Sequence, residues 1–235
     1  MNEVVAIVEG QTEQAFVRSH LANHLRPRGV HIWATMSGPS GRQGGIGKWT
    51  SVRGDILRTL WKRSRPVCTT MFDFYGMPDN WPGRTEAARL PNDRKGEHVE
   101  EALRADLAAN TSKDFRPELF IPFVQVHEFE ALLFADVARL VEVLASTPIL
   151  RQSPERLVEK FKKILDQAGQ PEAINDGRDT CPSRRIKGLV PGFEKLAHGT
   201  VAAGRIGIEV MKRKCPHFAQ WVKRLEALGA DGSRS

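Results

Sequence analysis

Residues 4–16 read VVAIVEGQTEQAF: a short apolar, mostly β-branched run, then an acid and a glycine, then a segment that opens with a second acid. Such a run of β-branched residues, bounded by a turn signal, reads as a buried strand over residues 3–8. Phe16, Val17, His20, Leu21 and His24 fall at helical spacing, so a helix over about 12–25 is expected, with Thr12 as N-cap and Pro27 as its stop. Glu9 and Glu13 are thereby placed at the carboxyl end of the first strand, where open α/β sheets carry their chemistry.

The pattern recurs further along. Residues 30–36 form a second strand-like run, and 67–72, VCTTMF, form a third that ends directly in Asp73. A fourth run, 119–126, leads into His127, Glu128, Phe129 and Glu130. Helical periodicity occupies 49–63 and 96–109 between the strands, and the loop over 75–94 is long enough to carry function. This βαβα alternation predicts an α/β fold, a mainly parallel four-stranded sheet flanked by helices, over residues 1–135. Residues 136–228 show only helical periodicity, at 137–144, 155–165 and 218–228, and read as a helical region packed on that core. Residues 229–235 read as a disordered tail.

With 235 residues, 40% hydrophobic and 27% charged, the chain has the balance of a globular protein that buries a core without staples. No apolar run approaches the roughly 20 residues of a membrane span. The N-terminal residues lack the basic, apolar and small-residue pattern of a secretory leader, so a cytoplasmic protein is expected. Cys68, Cys181 and Cys215 are odd in number and widely spaced, which suits neither a disulfide framework nor a paired zinc motif. The net charge of +7, set against an acidic strand edge, points to a polyanionic partner, although Lys and Arg also serve simply to solvate a surface.

Acids loaded after three strands converge on one sheet edge if the strands are parallel neighbours. Hard divalent cations such as Mg2+ or Mn2+ take oxygen ligands, and phosphoryl-transfer sites use a few carboxylates while water and substrate fill the remaining positions. Glu9, Asp73 and Glu128 or Glu130 meet that need, with Glu128 nearer the strand end, Glu9 a base or ligand and Asp73 a fixed ligand. Glu13 reads either as a second-metal ligand or as a first-turn acid favoured by the helix dipole. Each acid alone is equally a helix cap or a solvated turn.

The glycine-rich loop at 38–47 precedes Lys48 and a helix, but Arg42 and Trp49 stand where a P-loop needs glycine and Ser or Thr. Lys48 remains a candidate phosphate contact, or part of a plain connector. SRRIK, residues 183–187, reads as an exposed basic loop whose Arg184, Arg185 and Lys187 suit phosphate, or as a solvated surface. His20 and His24 lack an HExxH context and read as a packed helix face, and neither a nucleophile elbow nor an activated cysteine is present.

Six segments in order, VEGQTEQAF, MFDFYGMP, HEFEALLFAD, PEAINDG, PSRRIKG and CPHFAQWVKRL, resemble the bacterial domain-of-unknown-function family 4276, over nearly the whole chain. That resemblance implies a TOPRIM-like core, related to nucleases of the overcoming-lysogenization-defect type, with Mg2+ or Mn2+ as cofactor and DNA or RNA as substrate. It also implies an ATPase partner of the AAA or SMC type in DNA processing or phage defence. TOPRIM proteins carry a glutamate after strand one and Asp-x-Asp after strand three. Glu9 and Asp73 match the first acid of each, and Tyr75 stands where the second aspartate is expected. Either Glu128 or Glu130 then supplies the missing oxygen, or the domain is a binding module.

Overall fold

The computed structural model describes residues 2–37, 46–111, 115–174, 177 and 180–231. Its centre is a parallel sheet. β1 (Asn2–Val8) pairs with β2 (Val30–Met36) on one side and β3 (Val67–Asp73) on the other, and β3 pairs with β4 (Phe120–Ile121) and β5 (Val124–Gln125). Every pairing is parallel and the order is β2-β1-β3-β4, with β5 also on β3. The chain passes from β1 to β2 through α1 (Gln11–Phe16), a π-helical segment (Val17–Leu21) and α2 (Ala22–Leu25). It reaches β3 through α3 (Trp49–Leu60), and β4 through α4 (Arg84–Ala87) and α5 (Asn92–Ala109).

The fourth strand is expected as one run but is divided at Pro122 and Phe123. Thr69 faces Ile121 and Phe72 faces Val124, so the register continues unchanged across the break. Proline has no N–H to give the ladder. The Thr70 hydroxyl fills the gap: it donates to the Phe123 carbonyl at 3.0 Å and accepts the Phe123 N–H at 2.9 Å. On the outer side the Val124 N–H donates to Glu100 of α5 at 2.9 Å, which leaves no bare amide there as a template for another strand.

The two faces of the sheet bury different partners. Ile7, Cys68, Phe72 and Val124 pack against α3 and α5. Val4, Ala6, Val8, Met71 and Phe123 pack against the first helical crossover and the C-terminal helices. Burial on both faces explains why the strands read as continuous apolar runs instead of alternating ones.

After β5 come a 3-10 segment (Phe129–Asp136), α6 (Val137–Ala145), α7 (Pro154–Ala168), α8 (Pro182–Leu189), a second π-helical segment (Lys195–Gly199), α9 (Thr200–Ile206), α10 (Ile208–Lys214) and α11 (Pro216–Asp231). One apolar cluster runs from Val4 and Phe16 through Phe129, Leu140 and Phe161 to Phe218 and Leu225, so these helices cover the sheet and share its core. None of the helices among the described residues is long and apolar enough to cross a membrane.

Several boundaries differ from the sequence expectation. The first helix begins at Gln11 with Gly10 as N-cap, and Thr12 lies buried inside it, because the tight Glu9-Gly10 turn starts the helix one step earlier. That helix does not run evenly to residue 25 but is widened at Val17–Leu21. α3 stops at Leu60, and the long loop after Asp73 contains α4 and yields to α5 at Asn92. SRRIK is not a loop: Pro182 begins α8, where its missing N–H costs nothing, and Ser183 and Ile186 are buried. α11 continues through Gly229 to Asp231, beyond the expected start of the tail. Residues 38–45 of the glycine-rich loop, together with Asn175 and Asp176, lie outside the described residues.

Candidate functional site

The chain leaves β1 toward β2 and returns on the other side as β3, so the loops after β1 and β3 part from each other. This is the switch point at which open α/β sheets form a crevice beyond their carboxyl ends. Glu9 follows β1 and Asp73 ends β3, and the Asp73 N–H donates to Glu9 Oε2 at 3.2 Å. The chain then turns tightly through Phe74–Gly76. Gly76 lies against Glu9 so closely that a Cβ there would come within 2.7 Å of Glu9 Oε1. A side chain at residue 76 would push the Glu9 carboxylate aside, whereas the backbone angles there are ordinary.

Three further acids complete the edge. Glu13 is buried in the first turn of α1. Glu130, in the 3-10 segment after β5, is 1% exposed. Glu128 is half-buried, and Lys195 Nζ lies 3.0 Å from both Glu128 Oε1 and Glu130 Oε2. Glu128 is extended and Glu130 helical, yet the turn between them brings both to one ammonium.

The electrostatics separate these acids into two kinds. Glu128 accepts the Ser183 N–H at 2.9 Å and the Ser183 hydroxyl at 3.1 Å, which caps the start of α8. Burial pushes its carboxyl up, but Lys195 and Ser183 outweigh burial and hold it below the usual range. The others are raised. Burial lifts Glu9 and Glu13 against the pull of backbone N–H groups and Lys195. Asp73 is pushed well up by burial and then by the charges of Glu13, Glu9 and Glu130. Burial brings Glu130 to about 7 despite Lys195. Lys195 is itself raised, since Glu130 and Glu128 together outweigh its own burial.

Unmet hydrogen-bonding capacity is concentrated at the same edge. Asp73 Oδ1 and Glu130 Oε1 are buried without a hydrogen-bond partner among the described residues, and so are both polar atoms of Gln125. Native interiors leave few such groups. A cavity of about 610 Å³ opens over the strand ends, lined by Glu9, Asp73, Glu128, Lys195, Arg184 and Tyr75 among others. Tyr75 is 45% exposed and stacks on buried His127, with ring centres 5.5 Å apart and planes at 26°.

The structure therefore brings Glu9, Glu13, Asp73, Glu128 and Glu130 to one edge and adds Arg184 from α8. Lys48, the exposed N-cap of α3, and Lys187, exposed on α8, do not line the cavity. Arg185 Nε donates to the Thr180 carbonyl at 2.7 Å and braces the loop before α8. Neither Lys195 nor Gln125 is among the site residues that the sequence predicts. Lys195 carries no local signal, being an ordinary lysine among helical residues, whereas Gln125 is an amide inside an apolar strand and was detectable on that ground.

The cluster is open, not a closed cage. Among the described residues, His24, Glu209 and Glu226 are the three whose ligand atoms all fall within 4.8 Å of one another. There Lys212 Nζ lies 2.8 Å from Glu226 and 3.2 Å from Glu209, so the group is an ion-pair network joining α2, α10 and α11. At the strand ends a cation would take one or two carboxylates and draw on water and substrate oxygens for the rest, the usual manner of Mg2+.

The fold and this cleft define an α/β protein with a parallel switch-point sheet and an acid-lined cavity at its carboxyl edge. The chain belongs to the family described as Domain of unknown function (DUF4276), whose model matches residues 8–226. No curated protein and no solved structure matches it.

Proposed function

We propose that the protein is a divalent-metal-dependent nuclease with a TOPRIM-like core, hydrolysing phosphodiester bonds in DNA or RNA. The observation that carries this reading is the set of buried, mutually repelling carboxylates at the switch point, with Asp73 Oδ1 and Glu130 Oε1 unpartnered and Lys195 as the neighbouring ammonium. Such a donor set suits Mg2+ or Mn2+. Bound there, the cation would polarise the scissile phosphate and acidify a water. Asp73 and Glu130 would hold it, Glu9 would act as ligand or as the base for the attacking water, and Glu13 would adjust the charge behind them. Glu128 holds Lys195 and the start of α8 in place, so that Lys195 and Arg184 face the substrate phosphate. Tyr75 offers a ring on which a base can stack. The TOPRIM reading is supported by Glu9 after the first strand and Asp73 at the end of the third, on neighbouring strands.

The net charge of +7 with the acids gathered in one cleft supports a polyanionic substrate. We assign it an AAA- or SMC-type ATPase partner in DNA processing or phage defence, on the strength of the family resemblance, and a cytoplasmic setting to match a nucleic-acid substrate. Purified protein incubated with labelled DNA and RNA in Mn2+ or Mg2+ is expected to cut, and Glu9→Ala and Asp73→Ala are expected to stop it. Cleavage by both variants at the wild-type rate would overturn the assignment.

A non-catalytic nucleic-acid-binding or regulatory subunit is the second reading, favoured by Tyr75 in place of a second aspartate and by the commitment of Glu128 to Ser183 and Lys195. It predicts salt-sensitive polynucleotide binding that persists in chelator and is not accompanied by cleavage.

A further inference from the structure

Gln125 is the residue of the sheet with the least explained environment. It is fully buried, and neither its amide oxygen nor its amide nitrogen meets a partner among the described residues. It is the register partner of Asp73 on the neighbouring strand. In a parallel pair, register partners project to the same face. Met71, two residues before Asp73 on β3, and Phe123, two residues before Gln125 in the break whose register continues unchanged, both belong to the cluster beneath the C-terminal helices, so Gln125 and Asp73 share that face. Glu13 and Glu130 approach from the same side, on segments whose neighbours Phe16, Phe129 and Leu132 join the same cluster.

Thr69 and Thr70, the other polar side chains buried in the β3 ladder, are each fully bonded. An unbonded amide in such a place has to be held against a desolvation cost, and an apolar residue would fit the strand better. Resting on the metal reading above, we propose that Gln125 is an unassigned ligand of the cation site, its side-chain oxygen acting beside Asp73 Oδ1 and Glu130 Oε1. Amide oxygens are ordinary ligands for hard cations. The placement also accounts for the open carboxylate cluster: part of the donor set is neutral, which limits the repulsion among Glu9, Glu13, Asp73 and Glu130.

The test uses the full chain and Mn2+ alone, read by thermal unfolding and by titration calorimetry, with no need of activity. Gln125→Leu removes the unbonded amide, so its metal-free melting temperature is expected to rise by about 2–4 °C. Its Mn2+ affinity is expected to fall by at least about tenfold. Gln125→Glu keeps the oxygen and adds charge, so it is expected to lower metal-free stability and tighten Mn2+ binding. Mn2+ affinity unchanged in both variants, with wild type binding normally, would overturn the Gln125 role and leave the metal site standing. A wild-type protein that neither binds Mn2+ nor gains stability from it would overturn the metal assignment and the Gln125 role together.

Discussion

Two groups of buried carboxylates lie on the same sheet and are finished in opposite ways. At the outer edge, Glu100 accepts the Val124 N–H at 2.9 Å and faces His217 Nε2 at 2.9 Å. Glu172 accepts the N–H groups of His217 and Phe218 at 3.0 and 2.9 Å, which caps the start of α11. Burial alone would lower the His217 imidazole, but the Glu100 hydrogen bond and charge outweigh it and raise it instead. At the strand ends, by contrast, acids repel one another and leave Asp73 Oδ1 and Glu130 Oε1 unbonded. A carboxylate that serves the fold is tied to backbone amides. At the strand ends the Asp73 Oδ1 and Glu130 Oε1 atoms are buried with no such amide among the described residues to take them.

That contrast breaks most sharply at Asp73. If metal-held charge stabilisation supplies several kcal/mol at the transition state, Asp73→Asn lowers Mn2+-dependent cleavage at least about a hundredfold, while metal-free stability stays level or rises as repulsion is relieved. A nuclease assay paired with thermal unfolding checks both halves. At the other cluster the expectation reverses: Glu100→Ala leaves the Val124 N–H and His217 without their acceptor and is expected to cost about 3 kcal/mol of stability. Its Mn2+-induced rise in melting temperature should be unchanged, and a lost metal response would mean that the two clusters are not independent.

A smaller effect follows from pH. Glu130 is raised to about 7 in the folded protein from a usual 4.5. Between those values the folded state binds a proton that the unfolded chain does not, so stability falls as pH rises through that window. The contribution is on the order of 3 kcal/mol, and Glu130→Gln is expected to flatten this part of the stability-against-pH curve without metal. Denaturant unfolding at pH 5 and pH 8 measures it. His217 also loses its contribution as pH rises, so the difference between variant and wild type carries the test. The mildest perturbation is Gly76→Ala, which pushes on Glu9 from 2.7 Å without removing an acid. Cleavage is expected to drop about tenfold through misplacement of that carboxylate, with stability changed by less than about 1 kcal/mol.

The strands were legible because β-branched apolar runs buried on both faces carry a strong local signal, and Glu9 and Asp73 because each stands where such a run ends. Other parts depended on residues distant in the chain. Glu128 reads as the acid nearest the strand end, but Ser183, at the start of a helix fifty-five residues later, engages both of its oxygens. The fourth strand reads as one run, and its break at Pro122 and Phe123, bridged by the Thr70 hydroxyl, appears only in the fold. Arg184 came forward with its basic neighbours, and only the folding of SRRIK into α8 separated it, at the cavity, from Arg185, which braces a loop.

By itself, the sequence determined a parallel α/β core with acids at the carboxyl ends of its strands, because strand burial, turn glycines and helical spacing act over a few residues. The tertiary structure decided which acids remain open. That choice depends on where Lys195 and Ser183 come to lie, and on how far burial removes the water that would otherwise satisfy each oxygen.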